Sequence, residues 1–175
     1  MEISFIDKFE EWHFDRMVCI GGEGVETTVV ARVGIVDDEG WRFLVNVFSN
    51  AGTSPFQDAR SVGHIAYIGY GEYLFVLDTK TSMLARHRLD GYFGHMYDSD
   101  DFEYLPSKFS VLVTSASETL AFSRNGELVW TQPNLGIDGV VVHAVDERRI
   151  DGEGEFDPPG RWRKFTLSWE PGAAG

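Results

Sequence analysis

The chain has 175 residues, 43% of them hydrophobic and 14% aromatic, enough to bury most of its apolar surface as one domain without covalent staples. Twenty-eight acidic residues against fifteen basic ones leave a net charge of −13, which opposes docking on a nucleic-acid phosphate backbone or an anionic membrane, since both need clustered Lys and Arg. Cys19 is the only cysteine, so an intrachain disulfide and a thiolate zinc cluster are excluded.

In chain order, "MEISFIDKFEEWHFD" lacks the basic and apolar regions of a signal peptide, and the longest apolar runs fall far short of the ~20 residues of a membrane helix. A cytoplasmic protein is expected. Asp7–Met17 reads equally as helix or strand, and Cys19, flanked by Val18 and Ile20, reads as a small buried hydrophobe. Thr27–Val36 is β-branched, Asp37–Gly40 is a turn signal and Trp41–Phe48 alternates, which together predict a hairpin. Asn50–Ser61 is the most loop-like stretch, the candidate for an internal boundary, with room for one helical turn at Phe56–Arg60. Short strands then follow in "HIAYIGY", "EYLFVLD", "MLARHRL", "FSVLVTS", "TLAFS", "ELVWT" and "GVVVHAV", separated by Gly, Asp, Asn and Ser turns. "GIDGVVV" reads as a turn feeding a buried strand, and the "EPGAAG" end as a frayed tail. The expected fold is a single all-β domain over residues 1–175, antiparallel meander sheets packed as a sandwich or open barrel.

Hairpin-like pieces begin near Val30, Leu74, Leu120 and Phe165, roughly 45 residues apart, a spacing typical of propeller blades. "LFVLDTKTSMLARHRL" and "LAFSRNGELVWTQ" resemble the outer hairpin of quinoprotein-type propeller blades, which makes a small propeller-like arrangement the alternative fold. Separately, Val30–Ser49, with Val33-Gly34-Ile35, the acidic turn Asp37-Asp38-Glu39 and the return strand led by Trp41 and Phe43, resembles the central hairpin of small bacterial immunity proteins. That resemblance implies a non-catalytic protein that neutralises a partner toxin.

The chemistry-bearing residues concentrate in "IDGEGEFDPPGRWRKF", Ile150 to Phe165. Alternate residues of a strand share a face, so Asp151, Glu153, Glu155 and Asp157 line one side, neighbours about 6.5–7 Å apart. If the chain turns at Pro158-Pro159, Ile150 faces Leu167 and Gly152 faces Phe165. The carboxylates then point outward, with Glu153 opposite Lys164 and Glu155 opposite Trp162. A second acidic cluster, Asp98–Asp101, begins like a calcium loop but has Phe102 and Glu103 where an oxygen ligand and Gly belong. The nearby Tyr92, Phe93, Tyr97, Phe102 and Tyr104 suit either a core or a sugar-stacking patch. His87, His95 and Asp98 are the least implausible metal ligands, but no metal and no cofactor is expected. The reading is a non-catalytic acidic module binding a basic protein partner, as an immunity-type inhibitor would, through Glu153, Glu155, Trp162, Asp100 and Asp101. The rival is a carbohydrate-binding protein or glycoside hydrolase using aromatic platforms and a carboxylate pair.

Overall fold

The computed structural model describes residues 1–6, 13–21, 28–49, 56–157 and 159–168. Among them lie fifteen strands in four sheets and no helix. The chain divides into two compact units, Met1–His87 and Arg88–Gly175. The loop-like stretch 50–61 falls within the first, and its residues 50–55, like residues 7–12, lie outside the described residues.

The first unit opens with β1 (Glu2–Phe5), β2 (Arg16–Gly21), β3 (Thr28–Val36) and β4 (Arg42–Ser49), paired in the order β1-β3-β4-β2. The hairpin expected from the acidic turn is β3–β4, in register from Val36↔Arg42 to Thr28↔Ser49 around a bulge. The sheet is not a plain meander, because β2 lies along the far side of β4 in parallel, Met17 beside Leu44 and Ile20 beside Val47. That placement corrects the reading of Cys19. Ile20 is the buried member of β2, so period two turns Cys19 outward, and its thiol is exposed.

The second sheet, β5 (Gln57–Val62), β6 (Ile65–Tyr70), β7 (Tyr73–Asp78) and β8 (Leu84–Arg88), is a meander in chain order. Where a helical turn is expected at Phe56–Arg60, Gln57–Arg60 instead belong to β5. All six residues of β5 pair with β6, from Gln57↔Tyr70 to Val62↔Ile65, and a pairing partner outweighs the weak local pattern of "QDARSV". The two sheets share one core: Val33, Ile35, Phe43, Val45 and Val47 from the first meet Ala66, Ile68, Phe75 and Leu77 from the second. Each large side chain removed from water there contributes about 1.5–3 kcal/mol, set against the entropy of ordering the chain.

The second unit repeats the scheme. β9 (Phe93–Tyr97), β10 (Val111–Ser115), β11 (Thr119–Phe122) and β12 (Leu128–Gln132) form another four-stranded meander. β13 (Val140–Val145), β14 (Arg149–Glu155) and β15 (Trp162–Ser168) form a three-stranded one. Leu112 and Ala121 of the former, with Phe109 just before β10, pack with Val142, Val145 and Ile150 of the latter. The ~45-residue spacing has a structural counterpart: Val30, Leu74, Leu120 and Phe165 lie in β3, β7, β11 and β15, the third strand of each sheet in chain order.

Candidate functional site

The acidic strand is β14, and its register with β15 is the one its apolar face dictates. Ile150 pairs with Leu167, Gly152 with Phe165, Glu153 with Lys164 and Glu155 with Trp162. Two close approaches hold it there. A Cβ on Gly152 would stand 2.4 Å from the Val141 carbonyl oxygen and 2.5 Å from the Phe165 ring, and one on Gly154 would stand 1.8 Å from the Leu135 carbonyl oxygen. Only glycine fits at those inner positions. The carboxylates take the opposite face, Asp151, Glu153 and Glu155 half-buried and Asp157 exposed.

Each carboxylate of the row has a local partner. Asp151 accepts from Thr166 Oγ1 at 2.6 Å and lies 3.4 Å from Arg149 Nε. Glu153 Oε1 is 3.2 Å from His143 Nε2, rather than joined to Lys164 as a simple cross-strand pair. The bulge that interrupts β13 between Val142 and Ala144 re-aims His143 toward it. Glu155 accepts the Gly160 N–H, and Asp157 lies 3.3 Å from Arg161 Nε. A row so occupied is built for a stable hairpin, and its exposed ion pairs contribute little to the fold.

The end of the row near Trp162 is different. The turn Gly136–Gly139 packs against the end of β14: the Ile137 N–H donates to the Glu155 carbonyl at 2.8 Å, and the Glu155 N–H to the Gly139 carbonyl at 2.9 Å. The Gly139 N–H donates to Ala116, and the Tyr92 hydroxyl to the Asp138 carbonyl at 2.5 Å. Burial first, then the hydrogen bond to Asp138 and the charges of Asp138 and Glu155, push the Tyr92 hydroxyl up to about 12. Trp162 lies against this braced turn, close enough that a Cβ on Gly139 would stand 3.2 Å from its ring. Trp162 is 41% exposed and pairs with Glu155 across the hairpin, with Glu153 and its partner Lys164 two residues along the same face; Ile137, in the turn, is 59% exposed.

Asp100 and Asp101 belong to another loop. Asp98 Oδ1 accepts the Asp100 N–H and Asp101 Oδ2 accepts the Asp98 N–H, so these groups close their own turn. Of the aromatics around them, Phe93 is buried, and Tyr97 and Phe102 stack at 5.4 Å against the core, leaving Tyr104 on the surface. Among the described residues no three His, Cys, Asp or Glu side chains are placed to hold a metal ion. The corner thus joins Glu153, Glu155 and Trp162, which the sequence singled out as partner contacts, with Tyr92, read there as core or stacking surface, and with Ile137 and Asp138, read there only as part of a turn. The paired glycines 136 and 139 were the available signal. The chain matches no family model, no curated protein and no solved structure.

Proposed function

We propose that this protein is a non-catalytic acidic interaction module that docks a basic protein partner, as an immunity-type inhibitor does. The observation that carries the reading is Trp162, exposed, seated on a turn braced by hydrogen bonds, and paired across the hairpin with Glu155, with Glu153 on the same face of β14. A large, rigid aromatic loses little freedom on binding, and such side chains dominate interface energetics. The acids around it, with Asp100 and Asp101 adding to the field of the same unit, steer a basic surface onto the anchor and raise the association rate at low salt.

The test is capture of partners from the native cell on the purified protein and on a Trp162→Ala variant. The expected result is that basic proteins are retained, elute with salt, and bind the variant about 30-fold more weakly, the loss typical of an interface hot spot. Glu153→Gln with Glu155→Gln should slow association chiefly at low salt while changing stability by no more than about 0.5 kcal/mol each. Retention of basic proteins by Trp162→Ala as strong as by the parent protein would remove the corner from the interface.

A further inference from the structure

The carboxylates along β14 are unequally matched by the cations of the chain. Asp151 has Arg149, Glu153 has His143 and Asp157 has Arg161, each within 3.4 Å. Glu155 stands apart. Among the described residues no cation lies within ion-pair distance of it, and its side chain accepts only the Gly160 N–H, through Oε1. That leaves Oε2 and a second lone pair of Oε1. Lys164, two residues beyond Trp162 on the same face, is in register with Glu153 rather than with Glu155.

Directly across the hairpin from Glu155 is Trp162. Residues so opposed have their Cβ atoms about 4.5–5.5 Å apart, within reach of one ligand group. Gly139 meets the indole at its outer edge, because a Cβ there would stand 3.2 Å from Cη2 and 3.9 and 4.0 Å from Cζ3 and Cζ2. Among the described residues no cation and no second ring is stacked on Trp162. The other rings differ: Trp41 and Phe43 share the Arg16 guanidinium at 5.2 and 5.5 Å, and Phe156 has that of Arg163 at 4.6 Å. The Glu155 N–H donates to the Gly139 carbonyl and its own carbonyl accepts from Ile137, so the backbone beneath the pair is fixed before anything binds. An open indole and an unmatched carboxylate are thus held as neighbours.

Resting on the reading of this corner as a docking surface, we infer that Trp162 and Glu155 together take one arginine side chain of the partner, its guanidinium stacked on the indole and hydrogen-bonded to the carboxylate. Arginine meets both groups at once, since its planar head stacks on an aromatic face while its N–H fork points at carboxylate oxygens. Lysine brings a compact, strongly hydrated ammonium that does not lie flat on the ring. A neutral ligand, a sugar ring included, would use the indole and leave the charge of Glu155 unmatched.

The experiment uses the full chain with fluorinated tryptophan, its five resonances assigned through Trp→Phe variants. Tetra-arginine and tetralysine, equal in charge, are titrated separately at low salt. Tetra-arginine is expected to move the Trp162 resonance saturably and to bind at least about threefold more tightly than tetralysine. Glu155→Gln, which keeps an acceptor for the Gly160 N–H, should weaken tetra-arginine about tenfold. Glu153→Gln removes the same charge from a carboxylate already matched by His143, and should weaken it about twofold or less. Equal affinity for the two peptides, or equal losses in the two Glu→Gln variants, overturns the arginine assignment while the corner still binds a basic ligand. A Trp162 resonance that neither peptide moves also overturns it, and the docking reading is then judged apart, by capture on Trp162→Ala.

Discussion

Trp41 and Trp162 are nearly equally exposed, and their neighbours make them opposites. Trp41 lies beneath a guanidinium at the mouth of a cleft where the cations Arg16 and Lys80 face the carboxylates of Asp37, Asp38 and Glu39. Trp162 rests on a glycine turn, on an open face where carboxylates are in excess. A guanidinium already covers the first ring, whereas the second stands beside carboxylates with much of its surface open, which suits the side chains of a basic protein. Exposure of an aromatic therefore says little until the charges around it are known.

The contrast can be broken hardest through the scaffold of the corner. Gly154→Ala drives a Cβ into the Leu135 backbone and should destabilise the protein by about 3 kcal/mol or more, lowering the thermal midpoint by roughly 6–12 °C. In a fluorine spectrum of the fluorotryptophan-labelled variant taken below that midpoint, the Trp41 resonance should stay in place while that of Trp162 moves. Thermal melts of the variant check this, and an unchanged midpoint would mean that the β14 backbone can shift away freely.

A smaller effect separates the two units by pH. In the second, the raised Tyr92 hydroxyl keeps its proton in the folded state while an unfolded tyrosine loses it near pH ~10. Stability should decline as pH climbs from there toward 12, and Tyr92→Phe should flatten that limb. In the first unit, burial lowers His87, so the unfolded chain binds its proton more readily. That contribution is present above the unfolded value and disappears as pH falls through the lowered folded value. A His87→Gln variant should lose less stability between neutral pH and pH ~5 than the parent in denaturation curves. Parallel curves for parent and variant would show that the imidazole is as wet folded as unfolded.

Much of the fold was legible because apolar residues repeat with the pleat. The β14–β15 register followed from two faces agreeing, Ile150 with Leu167 and Gly152 with Phe165, with no long-range information needed. β5 escaped because its polar residues carry no period, and only the adjacent β6 makes it a strand. Cys19 was misread for a related reason: its flanking apolar residues looked like a buried run, and the partner that sets its face, β4, is reached across another strand. The corner was half visible. Glu153, Glu155 and Trp162 lie on one hairpin, whereas Tyr92, Ile137 and Asp138 come from segments that only the folded sheets bring together.

The parallel strand β2 has a kinetic consequence. β3 and β4 are joined by a short turn and can zip together on the microsecond scale of a hairpin, but β2 must return past β3 to find β4. Loop closure precedes any gain from that pairing, so β2 is expected to join last and to leave first. Native-state hydrogen exchange should reveal it, with the amides of Val18 and Ile20 opening at lower free energy than those of Val33 and Val45 in the same sheet. Equal protection across all four strands would place β2 inside the cooperative unit from the start.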